Sequence, residues 1–342
     1  MMNALVHTSW LSLAAAGTLA FAVLMYVLLD GTDLGVGVLF VSERNPKHRE
    51  IMIDTILPVW DGNETWIVLG GGGLIAMFPP VYSALLTAMY PVIFAMLFAL
   101  ILRGVAIGFR SEATARAKAR WDAVMLTGSA MAAFCQGVLV GSLVQGIRTA
   151  RGTYQGGPWD WLGAFALFCG FALALGYAWL GASWLIWRTE GSLQQRARRA
   201  SLALGTATAA STAIVSLWTL HLNEYYARRW TDDSGGVALP VAVFVFASLA
   251  AGFVYGIARR RAFAPLVFAL IWFVFALFCV LYTIFPLVLP PSITIAQGSS
   301  PPRTQAFVLG GTSVLVPAVL IYSTFAFWVF RGKVTSARRL DQ

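Results

Sequence analysis

A chain of 342 residues that is 58% hydrophobic and only 11% charged lies far below the roughly 25% charge of soluble domains. Its apolar runs recur at about the 20-residue length that crosses a hydrocarbon core. A soluble globule is excluded. The formal net charge of +9 is read as membrane topology and contact with anionic lipid, not nucleic-acid binding. The expected class is an all-α polytopic membrane protein, a single integral membrane domain over 1–342 with about nine transmembrane helices.

In chain order the predicted spans are 10–29, 61–78, 81–102, 123–147, 161–187, 200–222, 237–258, 263–289 and 306–330. The second is the weakest, because glycine and polar residues dilute its first half. Lys and Arg gather in alternate connections, at 42–50, 103–122, 188–199, Arg259 to Arg261 and the tail after Phe330, which together hold 19 of the 24 basic residues. The positive-inside rule then places the N-terminus outside and the C-terminus in the cytoplasm, a parity that an odd number of spans satisfies. No cleavable signal peptide is expected, since "MMNALVHTSW" lacks a basic n-region. Cys135, Cys169 and Cys279 fall singly in three spans, so no disulfide framework is drawn. Trp residues cluster near span ends, as an aromatic belt would.

No metal site is expected. His7, His48 and His221 lie at span ends or in loops, whereas haem held inside a bundle needs an intramembrane axial ligand. The informative residues are acids. Asp30 and Asp33 in "LLDGTDLGVGVLF", Asp54, and Asp61 and Glu64 in "LPVWDGNETWIVLGGGG" all fall in one N-terminal region. A spacing of three puts Asp30 with Asp33, and Asp61 with Glu64, on shared helix faces. Both pairs are expected toward the cytoplasmic side, at the inner boundary or, in a register with a helix from about 18 to 41, well inside. Carboxylic acids crowded together at low dielectric favour holding a proton between them and suit a proton relay. The plainer alternative is that they cap helices and pair with Arg103 or Arg110. The run Gly70, Gly71, Gly72 and Gly73 weakens a helix in water by about 1 kcal/mol per residue, but in lipid it lets backbones approach. It is expected to contact another helix or a flat ligand.

These segments resemble a known family. "DGTDLGVG", "WDGNETWIVLGGGGL", "LRGVAIGFR" and "YTIFPLVLPPS", in this order, are similar to the signature segments of subunit II of the cytochrome bd-type quinol oxidases. The "DGNETW" form, with Glu64 where many relatives carry an amide, most resembles the cyanide-insensitive branch. The resemblance implies a heterodimer in the bacterial cytoplasmic membrane that oxidises ubiquinol or menaquinol and reduces O2 to water. It implies that the partner, subunit I, carries haems b and d or b only, and that this chain binds no haem, stabilises its partner and contributes to proton supply from the cytoplasm. A structural quinone or lipid in a groove and a small accessory subunit belong to the same expectation. Asp30, Asp33 and Asp61 match family acids; for Glu64 and Asp54 the pattern fixes no role.

Two other classes compete. A proton-coupled transporter also suits acids at glycine-broken helices, but no inverted repeat is visible and an odd span count fits it poorly. A purely structural partner would use its acids for packing alone. Haem absorbance with a large haem-bearing partner, against substrate uptake by the chain alone, separates them.

Overall fold

The computed structural model describes residues 9–150, 152–232 and 235–334; His7 lies outside them. Among the described residues nine long helices carry the fold: α1 Trp10–Val38, α3 Trp60–Met77, α4 Pro79–Arg110, α5 Ala115–Gln145, α6 Ala164–Arg188, α7 Gly191–Leu222, α9 Ala238–Ala258, α10 Ala264–Ile284 and α12 Pro302–Val329. Between them lie the short helices α2 Pro46–Ile56, α8 Glu224–Thr231 and α11 Ile295–Gly298. Two small antiparallel hairpins complete the architecture, β1 Thr149–Ala150 with β2 Thr153–Tyr154 and β3 Leu287–Leu289 with β4 Ile293–Thr294.

Each predicted span corresponds to one of the nine helices. Eight are long and apolar enough to cross a membrane. The other is α3, the segment that two acids and four glycines dilute, and it is 18 residues long. The first helix is longer than its predicted span. A helix of 29 residues is about 43 Å long, against a hydrocarbon core of about 30 Å. Both registers considered for the first span are therefore parts of one helix, and Asp30 and Asp33 sit in its last third.

The core is a helix-on-helix bundle with α1 in its middle, packed against α3, α5, α6 and α12. Glycines set how closely these helices approach. A Cβ on Gly35 would fall onto the Tyr177 carbonyl, and one on Gly181 onto the Gly35 backbone, so α1 and α6 cross with backbones in contact. Gly37 in the same "DLGVG" stretch does likewise against Ser129 of α5. The glycines at 70–73 behave differently. Gly70, Gly71 and Gly72 meet nothing within 4 Å, and only Gly73 touches Leu19 and Met77. Within this chain the expected helix contact is thus confined to Gly73.

One end of the bundle is rich in basic residues and is clasped by ion pairs. Glu43, after α1, accepts from the Asn45 N–H, 2.8 Å away, and contacts His48 at 3.0 Å and Arg196 of α7 at 3.3 Å. Burial works against its charge, but the hydrogen bonds from Asn45 and His48 and the Arg196 charge outweigh it and hold the carboxyl below its ordinary value. Arg49 of α2 reaches Asp122 of α5 at 3.0 Å and the Phe40 carbonyl at 2.9 Å, and Arg110 of α4 pairs with the same Asp122. At the opposite end the "YTIFPLVLPPS" segment closes α10 and forms the β3–β4 hairpin; Arg229 of α8 donates to the Phe285 carbonyl at 2.6 Å.

The contrast among glycines is measurable. Gly181→Val places a rigid side chain on the α1 backbone, and such overpacking costs about 1–3 kcal/mol or more. Folded yield and thermal midpoint in detergent should fall. Gly71→Ala, with open space around it, should leave both unchanged in the isolated chain.

Candidate functional site

Three helix segments converge near the basic end. The last third of α1 brings Asp30 and Asp33, the first turns of α3 bring Asn63 and Glu64, and the last third of α4 brings Arg103. Asp33 and Asp30 lie about 8 and 12 Å short of the α1 terminus, Glu64 about 6 Å into α3, and Arg103 about 10 Å short of the α4 terminus. Their depths match because neighbouring helices run in opposite directions and the acids sit near helix ends.

Arg103 is the hub. It is fully buried, with one guanidinium nitrogen 2.7 Å from Asp30 Oδ1 and another 3.2 Å from Glu64 Oε2. Asp30 is likewise wholly buried, while the Glu64 side chain keeps 27% exposure. Asp33 is 2% exposed and accepts from Asn63 Nδ2 at 2.7 Å. Asp30 and Asp33 therefore share the inward face of α1, as their spacing implies, but turn to different partners. Gly128 lets α5 pass close to Arg103: a Cβ there would lie 2.8 Å from the Ala99 carbonyl and 3.2 Å from the Arg103 nitrogen.

Asp61 and Glu64 differ in setting. Glu64 reaches inward to Arg103, whereas Asp61 is exposed at the first turn of α3, near enough for its charge to act on Glu64. Asp54, on α2, is half-buried and not among the side chains around Arg103. Of the two arginines considered as partners for the acids, Arg103 meets them and Arg110 is engaged by Asp122.

Behind Asp30 a chain of neutral polar groups continues into the core. Tyr26, one turn earlier on α1, faces the Asp30 carboxyl. Its oxygen accepts from Gln136 Nε2 of α5 at 2.9 Å, and Gln136 Oε1 accepts from the Tyr177 hydroxyl of α6 at 2.8 Å. All three are buried. Asp30 Oδ2 and Arg103 Nε are buried with no hydrogen-bond partner in the structure. Reading the acids alone missed this extension and Asn63. A signal was present: Gln136 is an amide in the uncharged stretch of α5 after Asp122, where an unpaired polar group is costly.

The described histidines are engaged elsewhere. His48 bridges Glu43 and Ser192, and His221 contacts the Leu217 carbonyl. Among the described residues no group of three or more His, Cys, Asp or Glu is placed to hold a metal ion.

Fold and site define a multi-pass helical membrane protein with a buried acid–arginine cluster near one membrane face. The family model for cytochrome bd terminal oxidase subunit II matches residues 11–330, and the chain belongs to that family. It is 29% identical over 347 residues to cytochrome bd-I ubiquinol oxidase subunit 2 of Escherichia coli K12, covering 91% of each chain. It is also 29% identical to cytochrome bd ubiquinol oxidase subunit 2 of Bacillus subtilis 168, covering 96% of this chain and 97% of that one. In fold it is similar to the bd oxidase structure from Geobacillus thermodenitrificans, with a TM-score of 0.74 at 16% identity, covering 94% and 97% of the two chains. The protein is accordingly a subunit of a quinol-oxidising oxidoreductase.

The arginine hub makes a definite energetic statement. Removing one partner of a buried ion pair costs about 3–5 kcal/mol, because the other charge is left uncompensated. Arg103→Leu should lower the thermal midpoint sharply. Adding Asp30→Asn to it should recover part of the loss, since the stranded charge is then gone. A double variant no more stable than Arg103→Leu would show that Asp30 does not depend on this arginine.

Proposed function

We propose that this chain is the haem-free subunit of a heterodimeric quinol oxidase of the bacterial cytoplasmic membrane, and that it stabilises a haem-bearing partner and conducts protons toward it from the cytoplasm. The reduction of O2 to water consumes protons, and the haems and the ubiquinol or menaquinol site belong to the partner. The basic end of the bundle faces the cytoplasm in this reading, with the N-terminus outside and the C-terminus inside. Haem would need an axial ligand in the bundle; the described histidines lie at its ends and hold other partners.

The observation that carries proton conduction is the charge count around Arg103. Three carboxyls gather near one guanidinium: Asp30 and Glu64 contact Arg103, and Asp33, nearly fully buried, is held by Asn63. With all three ionised the cluster would carry two negative charges in excess, one of them on buried Asp33, and a cluster with more carboxyls than cations suits proton exchange. Asp61 supplies the exposed entry, Glu64 the half-exposed step, and Asp30 with Asp33 the buried store. Arg103 holds Asp30 and Glu64 in place and supplies the counter-charge beside them. Gly70, Gly71 and Gly72, which meet nothing within 4 Å, are assigned to the partner interface, where small residues allow close backbone approach. A quinone or lipid held structurally in a groove and a small accessory subunit remain part of the proposal, supported by the family alone. The transporter alternative draws no specific support from the site.

Three measurements test this reading. Expressed alone, the chain should show no Soret band, and with subunit I it should co-purify with stoichiometric haem. Reporter fusions within 111–120 and after 331 should report cytoplasm, and those near 153–157 and 298–302 the outside. Asp61→Asn should keep haem content while quinol oxidase turnover falls by an order of magnitude or more, in the 10²–10⁴ range typical of losing a proton-transfer group at the upper end. Glu64→Gln should cost less, because an amide oxygen still accepts from Arg103. Full turnover in Asp61→Asn with normal haem would remove proton entry at this residue; haem loss would assign it to the interface.

A further inference from the structure

The basic end of the bundle holds two kinds of cationic side chain. Some are paired with acids: Arg49 and Arg110 with Asp122, Lys118 with Glu50, Arg196 with Glu43, and Lys333 with Glu190. A second group is not. Arg198 and Arg199 on the first turns of α7, and Arg259, Arg260 and Arg261 in the turn between α9 and α10, have no carboxylate within ion-pair distance among the described residues.

This group is built. The Arg198 guanidinium is tied down by the Arg260 carbonyl at 2.9 Å and the Arg261 carbonyl at 3.4 Å. The tie brings it close enough to Arg260 for the two positive charges to act on each other. Arg260 has a φ of 52°. It closes α9 in the left-handed position that helix ends usually give to glycine, with the Arg261 nitrogen bonded back to the Gly256 carbonyl. A bulky side chain there carries a conformational cost, and like charges gathered without acids carry an electrostatic one. Glycine would close the helix with neither. The Arg259 guanidinium lies 5.4 Å from the Tyr255 ring centre, and Arg199, Arg259, Arg260 and Arg261 are exposed.

Immediately toward the membrane the surface turns apolar. Leu202 of α7, Val254 and Tyr255 of α9, and Phe263 before α10 are 42%, 51%, 59% and 51% exposed. A compact cationic patch directly above lipid-facing side chains, at the ends of membrane helices, matches an anionic headgroup with acyl chains below it. We propose that Arg198, Arg199 and Arg259 to Arg261 form a binding site for an anionic phospholipid headgroup of the inner leaflet, where phosphodiester oxygens neutralise the cluster. The site is distinct from the Arg103 cluster and independent of proton conduction. It lies on helices α7, α9 and α10, away from the bare glycine face of α3.

Native mass spectrometry of the purified heterodimer tests it, with diphosphatidylglycerol, phosphatidylglycerol or phosphatidylcholine added at equal concentration. The wild-type complex should retain the two anionic lipids at least about tenfold better than phosphatidylcholine. Each guanidinium removed should weaken retention by about fivefold, so Arg198→Gln with Arg260→Gly and Arg261→Gln should abolish the preference at unchanged haem content. Arg261→Gln alone, an exposed change, gives the single-step value if the triple variant fails to assemble. Equal retention of charged and neutral lipids by the wild type overturns the proposal, as does an undiminished preference in either variant. Displacement by millimolar inorganic phosphate would make the site one for free anions. Protection of the patch by an acidic segment of subunit I, seen by crosslinking, would make it a protein interface.

Discussion

The site depends on a buried guanidinium. Arg103 is shut off from bulk water and from the headgroups, because its side chain is wholly enclosed. An isolated charge in that position is too costly for a marginally stable bundle. The acids of α1 and α3 are thus constrained as much by Arg103 as it is by them, and three helices from separate parts of the chain must end near one depth. The length of α1 follows from this demand. A helix stopping at the 20-residue span would leave Asp30 at its terminus, whereas continuation to Val38 carries the carboxyl to the guanidinium and buries it.

Close helix approach is the second condition. The cluster is compact because α1 crosses α6 and α5 at glycine backbones, and because Gly128 brings α5 against Arg103. The same crossing places Tyr177 and Gln136 behind Asp30, so packing and polar satisfaction are solved by one arrangement. Larger side chains at Gly35 or Gly181 would move α6 outward and separate Tyr177 from Gln136. The motif "DLGVG" therefore serves two purposes, its acid entering the cluster and its glycines allowing the crossing.

Much of this was legible in the sequence because the bilayer simplifies the physics. Hydrophobic length locates the long helices, α3 least well, and the cost of intramembrane charge singles out Asp30, Asp33, Asp54, Asp61 and Glu64, with Arg103 or Arg110 as partners, before any contact is known. Helical spacing correctly places Asp30 with Asp33 on one face. The same spacing puts Asp61 with Glu64 on one face, but only Glu64 turns inward, since a spacing of three still spans about 60° of helix and the edge of a face can be exposed. The four glycines illustrate a different limit. Their composition announces close approach but not the approaching surface, and three of the four find none in this chain. The Tyr26–Gln136–Tyr177 chain was illegible for another reason: neutral polar residues have no fixed partner until three helices are brought together.

Helix α3 is where these constraints meet. Its first turns carry Asn63 and Glu64 to the acids and arginine, while Asp61 is exposed and Gly70, Gly71 and Gly72 further along meet nothing within 4 Å. A helix this short, with so many glycines and an exposed acid, gains little from contacts within its own chain. The stretch with its bare glycines is suited to burial against another protein, where the missing contacts are supplied, while Asp61 at the start of the helix keeps the exposure that proton entry needs. Assembly would then alter the electrostatics of the site itself: covering the exposed part of Glu64 lowers the local dielectric and strengthens its interaction with Arg103. In the proposed arrangement partner binding and proton handling would be coupled through one helix, with α3 serving the interface and the cluster at once.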